Sequence, residues 1–226
     1  RLVAMRLDDD VVATIRDFVP EADLREMRVV TSRPWRWLPV WDPGFTAAYF
    51  DHSGLYCFGR QPEAIHWNCG QLAVALRLLA ETEPLVFALE RFGELYQAAM
   101  VRRFLWRLGV APRRSDADLA LVAAAEKHMM EAGLGPDDAF HAHRGGRNPP
   151  DSEFGELLRQ FASEGDAEGD IWAETSAPSL VIDEVERVWS AIDRHDDWAP
   201  LAAKIAGIRR LGQALGEPPR PAGHTG

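Results

Sequence analysis

Apolar residues recur at helical spacing over most of the chain after residue 60. Pro62 suits the first turn of a helix. A second proline, Pro84, begins another predicted helix, which should end at Gly109. Intervals of three and four residues place the apolar positions of each predicted helix on one face. The first stripe consists of Ile65, Cys69, Leu72, Leu76 and Leu79, and the second of Leu85, Leu89, Phe92, Tyr96 and Ala99.

The second half of the chain shows the same periodicity. A helix is predicted from Ser115 to about Ala132, where Gly133 ends it, and Ser115 with Asp118 resembles a capping box in which Asp replaces Glu or Gln. Residues 144–152 should form a loop and 153–163 a shorter helix. Two further stripes predict the last helices: Val181, Val185, Val188 and Ile192, then Leu201, Ile205, Ile208 and Leu215. The predicted architecture is mostly α.

The region before residue 60 has a different character. Asp10 is expected to cap a short helix that ends near Pro20, but residues 1–33 have no assigned role. Residues 34–50 combine aromatic rings with helix breakers, which predicts an irregular segment pinned by buried rings. One short strand is predicted at 55–58. The segment 217–226 is rich in Pro and Gly, which is typical of a disordered tail.

Composition limits the class of protein. The net charge of −10 argues against nucleic acid as a partner, because phosphate binding needs a basic face. Apolar residues make up 46% of the chain, but no run approaches the roughly 20 residues of a membrane-spanning helix. No signal peptide is visible, and Cys57 and Cys69 are read as two reduced thiols rather than a disulfide. We therefore expect a cytoplasmic globular protein that contacts no membrane.

Four motifs in order give a specific resemblance. They are Trp41-Asp42-Pro43-Gly44-Phe45, Asp51-His52-Ser53-Gly54-Leu55-Tyr56, Phe58-Gly59-Arg60-Gln61-Pro62-Glu63, and His66-Trp67-Asn68 followed by Leu72-Ala73. This pattern resembles the region just after the catalytic core in the SelO (selenoprotein O, UPF0061) family. Stretches at 179–186 and 196–211 resemble the C-terminal helices of that family, so the resemblance covers about residues 34–216.

The resemblance implies a pseudokinase of protein-kinase-like fold, of which this chain is the helical C-terminal region. Members of the family are protein adenylyltransferases, or nucleotidyltransferases, that transfer AMP from Mg-ATP to Ser, Thr or Tyr hydroxyls of protein substrates (AMPylation). In the family, an H-G-V-x-N-T-D-N segment, a D-Y-G-P segment, a Lys–Glu pair and a glycine-rich segment bind ATP and magnesium. The sequence of this chain can be searched for each of these groups.

None of these motifs occurs in this sequence. The chain has two asparagines, Asn68 and Asn148, and the positions five residues earlier are Glu63 and His143 instead of the Asp of a kinase. Thr31 stands where the family has its metal-binding Asp. Both lysines, Lys127 and Lys204, fall in predicted helices. We therefore expect no catalytic, cofactor-binding or metal-binding residue, and no binding of ATP or magnesium by this chain.

Two functional hypotheses remain open. In the first, the chain is a C-terminal fragment of a SelO-like adenylyltransferase, inactive alone, whose partners are the N-terminal catalytic lobe and the protein substrates. In the second, it is a non-catalytic helical protein-interaction module. Whether the chain is itself an enzyme is left open.

Other candidate residues favour structural interpretations. Asp137, Asp138, His141 and His143 have the residue types of a metal site, but in a helix the two histidines point about 200° apart. They are read as an acidic helix start followed by surface histidines. His66 with Cys69 lacks a second pair of zinc ligands, and Asp8-Asp9-Asp10 suits a solvated helix start. Asp42 is predicted to lock a turn and Asn68 to bond a nearby backbone group.

Overall fold

The structure is a computed structural model that describes residues 37–48 and 50–217. These residues fall into two compact units. The first contains 46–48 and 50–96, and the second contains 37–45 and 97–217. The expected N-terminal helix, Asp8–Asp10, Thr31, and the tail after Glu217 lie outside the described residues.

Helices account for all the regular structure in the described residues. In the first unit, a 3-10 turn at Phe58–Arg60 leads into α1 (Gln61–Leu76), and α2 (Thr82–Glu90) follows. Helix α3 (Phe92–Leu108) begins in the first unit and ends in the second. The second unit continues with α4 (Ser115–Ala132), α5 (Pro136–Ala142), α6 (Glu153–Leu158), α7 (Ile182–His195) and α8 (Ala199–Leu215). The mostly-α prediction is confirmed.

The predicted strand at 55–58 is wrong. Leu55 and Tyr56 lie in a turn, and Phe58 begins the 3-10 turn. The carboxylate of Asp51 accepts the N–H groups of Leu55 at 2.7 Å and Tyr56 at 2.8 Å. Those two donors are therefore not available to a strand ladder. Within the described residues, the one β pairing is an isolated antiparallel bridge between Val110 and Ser163.

Several predicted helix boundaries also need correction. The single helix expected over 84–109 is interrupted at Arg91. The hydrogen bond from the N–H of Arg91 to the carbonyl of Phe87 is long, at 3.4 Å, and the poor helix former Gly93 follows two residues later. Helix α6 stops at Leu158 instead of 163, because the N–H groups of Gln160 and Phe161 bond carbonyls three residues back. Gly133 does end α4, in the left-handed conformation.

The expected capping box at the start of α4 does not form. The N-cap position belongs to Arg114, and Ser115 is the first helical residue. Asp118 is buried, and its Oδ1 accepts the N–H of Arg113 at 2.9 Å. Asp118 therefore accepts a hydrogen bond from the N–H of Arg113, just outside the helix, without the reciprocal bond of a capping box.

The core of the second unit lies where α3, α4, α5 and α6 meet. Leu121 and Leu158 are completely buried there, and Leu108 is 1% exposed. Gly155 permits the close approach of α6 to the preceding loop, because a Cβ at this position would overlap the carbonyl oxygen of Pro150. A smaller cluster joins Ile171 and Trp172 to Leu211 of α8. None of the described helices is long and apolar enough to cross a membrane.

The first unit buries much less apolar surface. Helix α1 has no buried residue, and Leu85 is the buried residue of α2. Large apolar side chains on these two helices are exposed instead, among them Trp67 at 65% and Phe87 at 59%. The sequence therefore predicts helical structure in this region, but the burial that the apolar stripes suggest is not found within the described residues.

Candidate functional site

The first motif forms a locked turn. The N–H of Gly44 donates to Oδ1 of Asp42 at 2.8 Å, and the N–H of Phe45 donates to the carbonyl of Asp42 at 3.1 Å. Trp41 packs edge-on against Phe104, with 6.3 Å between ring centroids. The predicted turn is confirmed. Asp42 uses its carboxylate on the backbone and places Trp41 against the core of the second unit.

The later motifs use their polar groups locally as well. In the first unit, Arg60 donates from Nε and Nη2 to the carboxylate of Glu63, at 2.8 and 2.7 Å. Hydrogen bonding from Arg60 lowers the pKa of Glu63. Asn68 is exposed, and its side chain takes part in none of the hydrogen bonds within the described residues. The expected contact between Asn68 and the backbone is therefore not seen in the described part of the chain.

The four candidate metal ligands of the second unit contact four different partners. Asp137 accepts from Arg107 at 2.9 Å, and Asp138 accepts the N–H of Ala177 at 3.3 Å. Nε2 of His141 lies 2.9 Å from the carbonyl of Glu174, and Nδ1 of His143 lies 3.3 Å from the carbonyl of Arg147. No group of three or more His, Cys, Asp or Glu within 37–48 and 50–217 could bind a metal ion.

The expectation that His141 and His143 are surface residues is wrong. They are 4% and 7% exposed, because the segments at 147 and 174 fold over them and supply carbonyl acceptors. His143 also contacts the ring of His128, with 5.7 Å between centroids. Burial is the largest cause that lowers the pKa of His143, and His128 lowers it further. His143 is therefore a buried imidazole that favours its neutral form.

The remaining candidates do not converge either. The ring of His66 stacks on Phe92 at 4.7 Å, and burial raises the pKa of the Cys69 thiol, which disfavours the thiolate that binds zinc. Cys57 and Cys69 are both free thiols. Both lysines lie on helices, as predicted, and each faces a carboxylate: Lys127 faces Glu153 at 3.6 Å, and Lys204 faces Glu184 at 2.7 Å.

Sequence reasoning missed the most connected polar residue of the second unit, Arg144. This residue is 2% exposed, and its guanidinium lies 5.1 Å from the ring centroid of Trp172. Its Nη1 donates to the carbonyls of Trp106 and Arg107, and its Nε donates to the carbonyl of Asp166 at 3.1 Å. Arg144 therefore joins the end of α3 to two segments that follow α6.

The backbone around Arg144 is shaped to receive it. Gly109 ends α3 with φ +70°, and a Cβ there would lie 2.6 Å from Nε of Arg144. The sequence indicated Gly109 as a helix stop. Its second role, which is to leave room for the Arg144 side chain, depends on a residue 35 positions later. The Gly- and Pro-containing segment 144–152 was predicted as a loop, and it begins with a 3-10 turn at Arg144–Gly146. Apolar periodicity gives no sign that Arg144 is buried.

Comparison with known protein families shows which family this chain belongs to. A profile of the family described as "Protein adenylyltransferase SelO" matches residues 30–149. The chain belongs to the SelO family. The matched range contains all four sequence motifs and the Asp42 turn, and also Arg144.

Curated relatives of SelO type extend the match. A protein nucleotidyltransferase YdiU of Gloeobacter violaceus is 30% identical over 201 residues, which cover 78% of this chain and 42% of the relative. The protein of that name in Synechococcus elongatus is 35% identical over 109 residues, 47% of this chain and 22% of the relative. The one in Xanthomonas oryzae is 39% identical over 101 residues, 44% and 19% respectively. The chain spans less than half the length of these relatives.

Three acidic residues of the SelO motifs thus have structural contacts in the described part of this chain. Asp42 and Asp51 bind backbone N–H groups, and Glu63 binds Arg60. Arg144 lies inside the matched range, whereas its partners Asp166 and Trp172 lie beyond residue 149. What the arrangement provides is a packed helical framework with fixed turns.

Proposed function

We propose that this chain is the C-terminal helical part of a SelO-type protein adenylyltransferase. In the whole protein, AMP is transferred from Mg-ATP to Ser, Thr or Tyr hydroxyls of protein substrates, and this part supports the catalytic lobe without taking part in the chemistry. The observation that carries the proposal is the family match over residues 30–149 of a sequence that contains two asparagines and no N-T-D-N segment.

The contacts of the polar residues support this assignment. Nucleotidyl transfer needs carboxylate and amide oxygens that hold a divalent metal, and a cation that orients the phosphates. Glu63 is paired with Arg60, and Lys204 is paired with Glu184. The side chain of Asn148 donates to the carbonyl of Ala142 at 3.2 Å. These groups are therefore engaged in contacts of the framework.

A chimera tests the proposal. The matching 201 residues of the Gloeobacter violaceus relative are replaced by this chain, and AMP transfer from labelled ATP to protein is measured. We expect the chimera to transfer AMP and the present chain alone to be inactive. A matched control carries Arg144→Met in the chimera and should lose folding and activity together. AMP transfer by the chain alone would contradict the proposal.

A second function, a non-catalytic helical interaction module, is favoured by one observation. Helices α1 and α2 expose Trp67, Val74 and Phe87, at 65%, 61% and 59%. Monomeric proteins seldom expose large contiguous apolar patches without a partner. If this alternative is right, the chimera folds with native-like helix content but transfers no AMP.

A further inference from the structure

The second unit contains a cavity of about 330 Å³ beside Arg144. It lies between the end of α3, the segment 109–112, the turn at 164–165 and the end of α8. A volume of this size is within the range of small-molecule sites, roughly 300–1,000 Å³. None of the SelO motif residues lines it.

The cavity wall is mostly apolar. Trp106 donates from Nε1 to the carbonyl of Leu215 at 3.2 Å, which fixes the edge of the indole and links α3 to the end of α8. The other apolar lining residues are Leu105, Val110, Pro112 and Leu215. Such a wall suits an aliphatic or aromatic group.

Two guanidinium groups line the same cavity. Nη2 of Arg144 takes part in none of the hydrogen bonds within the described residues, and it lies against Gly165, where a Cβ would be 3.1 Å away. Arg102 is half-buried, and its guanidinium group makes no hydrogen bond or ion pair within residues 37–48 and 50–217. Arginine forks match carboxylates with paired N–H donors. The two groups therefore offer unused donors to an anion.

A carboxylate lines the cavity as well. The N–H of Glu164 donates to the carbonyl of Gly109 at 2.8 Å, so its backbone is anchored beside the Val110–Ser163 bridge. No ion pair in the described part of the chain joins Glu164 to Arg102 or Arg144. Glu164 acts electrostatically on Arg144 without contacting it, so the lining offers both charges to a ligand. Glu217 also lines the cavity, and these carboxylates disfavour a multiply charged phosphate.

We propose that this cavity binds a free α-amino acid with an apolar side chain. The carboxylate of the ligand bonds Arg102 and Nη2 of Arg144, its ammonium group faces Glu164, and its side chain packs against Trp106 and Val110. A zwitterion uses both charges of the lining, whereas a simple organic anion uses only the arginines. This site goes beyond the adenylyltransferase assignment and does not depend on it.

Calorimetry on the full chain with L-phenylalanine and L-leucine tests the proposal. We expect saturable binding of one ligand per chain. Phenylalaninamide lacks the carboxylate and N-acetylphenylalanine lacks the ammonium group, so each should bind at least about ten-fold more weakly. These comparisons need no variant. Absence of binding at millimolar ligand, or equal affinity for N-acetylphenylalanine, would overturn the proposal.

Variants assign the two charges to their residues. Arg102→Gln should weaken L-phenylalanine binding at least about ten-fold, whereas Arg209→Gln on the exposed surface of α8 should leave it unchanged. Glu164→Gln should weaken L-phenylalanine but not N-acetylphenylalanine, because the second ligand has no ammonium group to lose. Circular dichroism verifies that each variant is folded. Unchanged affinity in a folded Arg102→Gln variant would refute the site.

Discussion

The carboxylate of Asp42 accepts the N–H of Gly44 at 2.8 Å across Pro43, and this bond closes the turn that places Trp41 against Phe104. Asp42→Ala should lower the free energy of unfolding by about 1 kcal/mol, the usual contribution of such a bond. Urea unfolding measures the change. Asp42→Asn retains an acceptor oxygen and should lose less, so an equal loss in both variants would contradict this role.

Arg144 should be far more sensitive. Arg144→Met would remove the guanidinium donor from the carbonyls of Trp106, Arg107 and Asp166, and we expect a loss of about 3 kcal/mol or more. Arg159→Met, at an exposed position, should change stability by less than about 0.5 kcal/mol. Comparable urea midpoints for the two variants would mean that Arg144 is not needed to join these segments.

The buried His143 makes stability depend on pH. Its pKa in the folded chain lies below the ordinary value of about 6.5, so the unfolded chain binds the proton first as the pH falls. The stability contributed by neutral His143 is therefore fully present above about pH 6.5 and decreases as the pH falls below it. Unfolding measured between pH 7.5 and 5.5 should show the decrease. His143→Gln should reduce this pH dependence, whereas His195→Gln at an exposed position should leave it intact.

A second pH effect comes from Glu184. Hydrogen bonds from Arg187 and Lys204 lower its pKa to about 2. The stability that ionised Glu184 contributes is present above its ordinary pKa of about 4.3 and is lost as the pH falls towards 2. Glu184→Gln should therefore be less stable than the parent chain at pH 7, and the difference should shrink below pH 4. Glu186→Gln, exposed on the same helix, should show no such trend.

The chain alone should not bind Mg-ATP. The sequence has no glycine-rich phosphate loop, and both lysines face carboxylates on helices. Calorimetry with ATP and magnesium should give only heats of dilution. Micromolar, magnesium-dependent binding would show that a nucleotide site exists in this chain.

Apolar periodicity predicted the helices well, because a stripe at spacing three and four is a local property of the sequence. It located α4 and its end at Gly133, and residue chemistry predicted the Asp42 turn. The interior polar contacts could not be predicted in this way. Arg144 bonds carbonyls up to 38 residues away, and His141 is buried by a segment 33 residues later. Such burial depends on long-range packing.

The contact of Gly155 with the carbonyl of Pro150 has a consequence for inherited variation. Every missense change that one nucleotide can make in a glycine codon introduces a Cβ atom, and no rotamer moves that atom away. Helix α6 would then have to shift from Leu121 and Val122 of α4, which belong to the same densely packed core. The codon of Gly155 is therefore expected to vary only by synonymous changes among functional copies of this gene, whichever amino acid a missense mutation would introduce.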